Sequence, residues 1–512
     1  MPATSWFEQA SALPGAPGIK RLVTTSASWL QAAQELATAG GRLLALWASH
    51  HGDTGSEVHA AIAAAPGVLV LTLPRSPSRH DYPSLGVCFP AAGRMQRALR
   101  DLSGLECGDW DARPWLRHTA WQARRHPLAA EPELPWQGDA AIDDYPFVRV
   151  EGDGVHEIAV GPVHAGIIEP GHFRFSVVGE KILRLEARLG YVHKGIEQRF
   201  QSLPILQGYR LAARVSGDST VAFSWAYCQA LEGMAAVAIP ERGAHLRALA
   251  LELERIANHC GDLGALGNDA GFAFGMSQFS RLKEFVLRAS EVAFGQRYLF
   301  DLVVPGGTQV DIAAAGSATI AACLVKVAEQ SALIRRIYND HAGVRDRFVG
   351  TGTVAPTLAA QLGLCGFAGR ASAQPFDLRV DLPCDPYPEL GVVAARQTDG
   401  DVAARVAIRF DELLESCRLV NCILERLPPG PYQLAVPEPA SGTLGIGLIE
   451  GWRGPVLVAL QAGRSGTVQR CHPHDPSWQN WPVLEHAVIG NIVPDFPLIN
   501  KSFNLSYSGH DL

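Results

Sequence analysis

Two short segments gather side chains able to move protons or hold a ligand. Gly161-Pro162-Val163-His164 is followed by Glu169-Pro170-Gly171-His172-Phe173-Arg174, so two imidazoles, a carboxylate and a guanidinium stand on turn-prone backbone. Such groups suit general acid–base work, with glycine and proline fixing where they point. The same residues also make an ordinary polar surface loop. Tyr191-Val192-His193-Lys194-Gly195-Ile196-Glu197 is a second cluster, which alone reads as a helix approach with solvated charges. Cys471-His472-Pro473-His474-Asp475 carries metal-ligand residue types. No partner pair stands at ligand spacing, so it reads as a solvated, turn-rich connection. The ten cysteines include no C-x-x-C pair, which argues against structural zinc or an iron–sulfur cluster in this chain. Most are expected to be small buried apolar residues. There is no Walker A loop, and no G-x-G-x-x-G between a strand and a helix. Gly261, Gly264 and Gly267 follow a helical pattern and are expected to mark its exit.

The elements that must position these groups fall into two regions. Up to about residue 128, Leu43–Ala48 and Gly67–Thr72 are short apolar runs bounded by turn residues, which predicts strands, and Trp29–Ala39 predicts a helix. Residues 1–128 thus form a small α+β domain. Residues 129–146 are rich in proline and acid without an apolar period and read as a linker. From 147 to 512 the chain restarts with extended segments. A helical region is expected to begin with Ile182–Gly190 and Ile196–Ser202. Apolar residues at three-and-four spacing then predict long helices over Glu241–Leu263, Gln278–Leu302, Ala318–Ala342 and Val402–Leu427. Asp401 is the expected N-cap of the last, which stops before Pro428-Pro429-Gly430. Leu444–Val468 returns to short β-like runs. The predicted fold class is α+β, a helical bundle with β trimmings behind a small α+β domain.

With 512 residues, 47% of them apolar and 19% charged, the composition is that of a globular protein of two to four domains. The net charge of −7, with no long basic run, argues against nucleic acid as a partner. Ala313–Val327 is interrupted by Gly316, Ser317 and Thr319, and no run reaches the roughly 20 strongly apolar residues of a spanning helix. The first ten residues carry no basic cluster, so no signal peptide is expected.

Taken together, the segments resemble a known family. GPVHAGIIEPGHFRF, YVHKGIE, RVSGDSTVAFSWAYCQALE, ELERIANHCGDLGALGND, GTGTVAPTLAAQLGLCGFAGRAS, GDVAARVAIRFDELLESCRLVNCILERLPPGP and GNIVPDFPLINKSFNLSYSGHDL occur in that order. This part of the chain is similar to the large subunit of the nickel–iron hydrogenases. The likeness is to the energy-converting group allied to hydrogenase-4 and formate hydrogenlyase, and to the D subunit of complex I, the NADH–quinone oxidoreductase. ALRDLSGLECGDWDARPWL resembles the end of the C subunit of complex I. The resemblance implies a hydrogenase-large-subunit-like bundle behind a complex-I-C-like domain.

The departures from the family are as informative. Its metal is held by four thiolates, in R-x-C-G-x-C-x-x-x-H and D-P-C-x-x-C. Here the first motif reads Arg214-Val215-Ser216-Gly217-Asp218-Ser219, with Phe223 for the histidine, and the second reads Asn504-Leu505-Ser506-Tyr507-Ser508-Gly509. The four ligand positions are therefore Ser216, Ser219, Ser506 and Gly509. A serine hydroxyl stays protonated and is a hard, weak ligand, so no metal is expected. Many hydrogenase large subunits carry an extension that is clipped after metal insertion; here the sequence stops at Leu512, and with no metal to insert no such extension is expected.

By resemblance, Glu169 falls on a glutamate that relays protons beside the metal, here in a partly dry cavity. Arg453, in Glu450-Gly451-Trp452-Arg453-Gly454, matches an arginine overhanging the site. His164 matches a G-P-x-H turn at the quinone pocket of complex I, whose headgroup tyrosine aligns with Gly217. The implied role is a subunit of a membrane-associated, ion-translocating oxidoreductase complex that does not turn over hydrogen, with quinone binding or proton relay in the cavity. The alternative is a non-catalytic, hydrogenase-derived scaffold. Expected partners are an iron–sulfur small subunit, which would hold a [4Fe-4S] cluster, and membrane antiporter-like subunits. The expected place is cytoplasmic, peripheral on the inner face of the cell membrane.

Overall fold

Short apolar runs between turns build the first sheet. In this computed structural model, which describes residues 4–108, 111–118, 121, 125–129, 145–165 and 168–512, it has five strands. They are β1 (Ser11–Ala12), β2 (Ile19–Val23), β3 (Arg42–His50), β4 (Ser56–Ala64) and β5 (Gly67–Arg75), in the order β1-β2-β5-β4-β3. Only β2 and β5 run parallel. The two predicted strands lie within β3 and β5, and both are buried along nearly their whole length, as expected of strands covered on both faces. One cover is the Ser26–Thr38 helix, whose Thr25 cap accepts the Ser28 N–H and whose Trp29, Ala32, Ala33 and Leu36 are buried. A short parallel pair, β6 (Asp81–Tyr82) with β7 (Glu106–Cys107), follows. Of the expected linker, residues 130–144 lie outside the described residues.

The second region opens with an antiparallel sheet of β8 (Val155–Val160), β9 (His172–Val178) and β10 (Lys181–Arg188). This corrects the expected helical start at Ile182–Gly190. Ile182, Leu185 and Ala187 are buried on a strand paired to β9. Gly179, at φ +58, makes the turn between the two. The Ile196–Phe200 helix is present but short.

The bundle consists mainly of helices Thr220–Met234, Glu241–Asp269, Ala273–Phe294, Ala314–Asp340 and Val402–Arg426. The two-stranded β11 (Val303–Val304) and β12 (Gly307–Thr308) sit among them. The Asp401 carboxylate caps the last helix, accepting the Ala404 N–H at 2.8 Å. The predicted Gln278–Leu302 helix instead ends at Phe294, where Gly295 turns left-handed at φ +72. Gly261, Gly264 and Gly267 lie inside the Glu241–Asp269 helix rather than at its exit. A Cβ on Gly264 would stand 3.1 Å from Phe279 Cβ, and one on Gly267 2.2 Å from Tyr338 Oη. These glycines let two neighbouring helices approach closely. Contrary to expectation, the Ala314–Asp340 helix is long and apolar enough to cross a membrane, with a mean hydropathy of 1.3. Here it packs Ile320, Leu324, Val327, Ile334 and Tyr338 into the bundle core.

The last sheet is β13 (Leu444–Gly451), β14 (Gly454–Ala462) and β15 (Val468–His474), all antiparallel. Its Ile446, Leu448 and Leu457 meet Leu44, Trp47, Ala61 and Val70 on the second face of the five-stranded sheet. β15 corrects the solvated-loop reading of Cys471–Asp475. Cys471, His472, His474 and Asp475 are all buried, with His472 stacked on Trp47 at 5.7 Å between ring centres. Of the ten cysteines, Cys228, Cys260, Cys365, Cys417 and Cys471 are buried and the other five are half-buried.

The seam between the two regions is polar as well as apolar. β3 is an edge strand, and its open carbonyls are taken by side chains from the far end of the chain. Arg470 Nε donates to Ala48 O at 2.8 Å, and Gln479 Nε2 to Leu44 O at 2.7 Å. Behind them Arg470 Nη2 pairs with Glu197 at 2.6 Å, and His472 Nδ1 lies 2.6 Å from the same carboxylate oxygen. Glu197 is therefore not the solvated charge that the sequence suggested. Burial works to raise its carboxyl, but Arg470 and His472 outweigh that and pull it down to about 2.

Candidate functional site

Two distant segments bring the four ligand positions together. Ser216 to Ser219 form the turn before the Thr220–Met234 helix, and 504–509 follow the Phe496–Phe503 helix, which Asn504 ends in a left-handed conformation. Ser216 Oγ stands 2.9 Å from Ser506 Oγ. Ser506 Oγ in turn accepts the Gly509 N–H at 2.8 Å. Ser219 Oγ lies 3.5 Å from Arg453 Nη1. Ser216, Ser219 and Ser506 are all buried.

Carboxylates have entered this cluster. Asp218 lies between the two serines of the first motif, and Arg453, from the turn joining β13 to β14, grips it at 2.9 and 2.5 Å. Ser216 Oγ also donates to Asp218, at 2.7 Å. Burial works to raise the Asp218 carboxyl, and the Arg453 guanidinium outweighs it and holds it below the usual range. Arg453 is further fixed by Asn504 O at 2.6 Å and by the Trp452 ring at 4.0 Å. Asp475 is fully buried: its Oδ1 accepts the Ser477 N–H at 2.8 Å, while its Oδ2 has no hydrogen-bond partner. A Cβ on Gly509 would stand 2.4 Å from that Oδ2. The Asp475 carboxylate thus fills the space of the fourth side chain, and burial pushes its carboxyl up.

Ser216, Asp218 and Ser506 of this cluster line a cavity of about 530 Å³ that brings together Glu169, His164 and Arg453, the three residues singled out in the sequence. Their settings differ. Arg453 is buried, His164 is half-buried and Glu169 is exposed, so Glu169 stands at the mouth rather than in the dry part expected for it. Ser508 holds it there, donating its N–H at 3.0 Å and its hydroxyl at 2.8 Å. His164 Nε2 lies 2.7 Å from Gly171 O. A carbonyl only accepts, so Nε2 carries the hydrogen and Nδ1 is left as an acceptor when the ring is neutral. Gly161, at φ +79, makes room for this, since a Cβ there would meet the His164 ring at 2.7 Å. His172 turns away, with Nδ1 3.2 Å from Gly161 O.

Other wall residues were not singled out in the sequence. Asp269, Lys501, Asn500 and Tyr507 contribute polar groups, and Val160, Phe173 and Phe496 make an apolar side. Burial raises the Asp269 carboxyl, and it pushes the Tyr507 phenol up to about 12. A visible signal existed for Asp218, a charge set between the two hydroxyls of the 214–219 motif. Asp475 stands in the Cys471–Asp475 segment that reads as a solvated loop, and Tyr507 beside Ser506 in the second motif without a role of its own; the fold supplies their place at the site.

Residues 269–443 match the family model for the respiratory-chain NADH dehydrogenase 49 kDa subunit. Formate hydrogenlyase subunit 5 of Escherichia coli (strain K12) is 29% identical over 450 residues, covering 85% of this chain and 77% of that protein. Hydrogenase-4 component G of the same organism is 29% identical over 452 residues, covering 87% and 78%. The C/D subunit of the NADH-quinone oxidoreductase of Bacteroides fragilis is 26% identical over 425 residues, covering 77% and 78%. Among solved structures, a chain of the membrane-bound sulfane sulfur reductase, an archaeal respiratory membrane complex, shares the fold. Its TM-score is 0.66 at 22% identity, over 70% of this chain and 99% of that one. In sequence the chain is thus similar to formate hydrogenlyase subunit 5, hydrogenase-4 component G and the C/D subunit of NADH-quinone oxidoreductase, residues 269–443 match the 49 kDa subunit family, and the fold is that of a chain of the sulfane sulfur reductase.

Proposed function

We propose that this chain is the large subunit of a membrane-associated, ion-translocating oxidoreductase complex, and one without a nickel–iron centre. The make-up of the four converging positions carries the reading. Three are hydroxyls, hard and protonated near neutral pH, where nickel and iron take soft thiolates. The fourth is glycine, and Asp475 occupies the room beside it. This donor set does not fit the metal pair, so no step is routed through it. The relatives named above, each a subunit or component by name, support membership of a complex.

In this reading the chain's residues do proton and binding work. Glu169, held at the mouth by Ser508, exchanges a proton with solvent. His164 offers Nδ1 to the cavity as an acceptor. Arg453, tied to Asp218, positions and does not titrate. The cavity, polar at Asp269 and Lys501 and apolar at Phe173 and Phe496, suits a ligand with a polar head on a flat apolar body, such as a quinone. A small subunit would supply the [4Fe-4S] cluster, antiporter-like membrane subunits the ion path, and the chain would sit on the inner face of the cell membrane. The scaffold alternative draws on one observation: the Ser216–Ser506 and Asp218–Arg453 contacts already close the former metal position.

The deciding experiment is proton or sodium uptake by membrane vesicles carrying Glu169→Gln, normalised to assembled complex. A loss of about a hundredfold is expected if the carboxylate must change charge, with smaller losses for His164→Ala and Arg453→Ala. Unchanged uptake in all three favours the scaffold. Elemental analysis of the purified complex is expected to find no stoichiometric nickel in this chain. The chain is also expected to co-sediment with membranes only when the small subunit is present.

A further inference from the structure

A second cavity, of about 200 Å³, opens between the Glu241–Asp269 and Ala273–Phe294 helices. Gly217 and Asp218 line both this cavity and the larger one, so the two meet across a single turn of backbone. The wall is thin there. Gly217 is exposed and has no side chain, and a Cβ on it would meet only Phe300, at 3.6 Å. Glu254 lines the second cavity and is buried. Its Oε2 accepts the Val221 N–H at 2.7 Å and its Oε1 the Ala222 N–H at 3.4 Å. No cation pairs with it among the described ion pairs, and the wall residues Lys283 and Arg297 do not reach it; Arg297 is spent on Glu284 at 2.7 Å.

We propose that this second cavity is a proton inlet to the vacated metal site, and that Glu254 is the residue that loads the proton. The inference rests on the reading that the larger cavity takes up protons. Glu254 gives up its proton toward the Asp218 side, to the ligand reduced in the larger cavity, and regains one from solvent at the mouth between the two helices. Only a proton moves in this step, and the electrons are those of the complex's own donor. The electrostatics suit loading near neutral pH. Burial raises the Glu254 carboxyl to about 8, the backbone N–H groups oppose this, the Asp218 carboxylate adds to it and Arg255 opposes it weakly.

The test uses assembled complex in vesicles. Infrared spectra at neutral pH are expected to show a protonated carboxyl band that shifts in D2O and is lost in Glu254→Gln. Proton uptake in that variant is expected to fall about a hundredfold with assembly unchanged, and Glu254→Asp is expected to recover part of it. Gly217→Leu, placed where a side chain fits, should slow uptake while leaving the band in place. Persistence of the band in Glu254→Gln, or uptake equal to wild type in that variant, overturns the inlet. A loss in Glu169→Gln alongside normal uptake in Glu254→Gln overturns the inlet alone and leaves the proposed function standing. Normal uptake in Glu169→Gln alone overturns that relay and leaves the inlet standing.

Discussion

A single charge decides much in the cluster of Ser216, Ser219 and Ser506. Without Arg453, Asp218 would keep its carboxylate in a nearly closed cluster without its partner. Breaking a buried pair costs about 3–5 kcal/mol, but the Asp218 side chain keeps 38% of its exposure. Water therefore softens the loss, and about 1–3 kcal/mol is expected for Arg453→Ala by denaturant unfolding. Asp218→Ala on that background should restore part of it. Glu254 gives a prediction with a definite sign. Its folded value of about 8 lies above the unfolded one near 4.5, so between these values the folded state binds the extra proton and stability falls as pH rises. Wild type should lose up to about 1.4 kcal/mol per pH unit across this window from this group. Glu254→Gln should remove that slope, and equal slopes in both proteins would contradict the assignment. The motifs make Ser216, Ser219, Ser506 and Gly509 legible as a set. Asp475 and Glu254 are not legible, because their meaning depends on burial that no local pattern carries.

Helices with a clear period are readable as helices, with ends that miss by up to eight residues, and Asp401 is readable as a cap because its side chain acts on its own first turn. The errors have a common physical source. Ile182–Gly190 reads as helical because a bulge between Ile182 and Arg184 breaks the strand's alternation, so that its buried Ile182, Leu185 and Leu189 fall at three-and-four spacing. β15 reads as a loop because Arg470 and His472 are polar, yet their partners Ala48 and Glu197 come from far along the chain. Local pattern fails where long-range partners offset the cost of burial. The glycines of the Glu241–Asp269 helix make the same point, since their reason lies on neighbouring helices. Gly267→Ala is expected to push the Tyr338 hydroxyl off its 2.7 Å bond to Leu263 O. The cost should be about 1–3 kcal/mol, seen as a lower thermal midpoint.

The whole molecule is held across its seam by the Arg470 and Gln479 hydrogen bonds to β3 and by a shared core. Trp29, Leu71 and Trp115 from the first region pack in one cluster with Phe173, Trp481 and Phe503 from the second. Glu197, drawn down to about 2, contributes stability that is present above its unfolded value and lost as pH falls toward 2. Arg470→Ala strands that carboxylate, and about 3–5 kcal/mol is the expected cost. It should appear as earlier proteolysis between the regions, and a protease pattern like that of wild type would contradict it. The capping of β3 also bears on ancestry. An edge strand whose carbonyls are answered by Arg470 and Gln479 is not a portable module. Grafted onto another large domain, the first region would present an open β edge and invite chain-to-chain association, unless the recipient carried an arginine and a glutamine at the matching places. Recombination that splits this chain near residue 128 should therefore yield aggregates, and the two regions are expected to change together over evolutionary time.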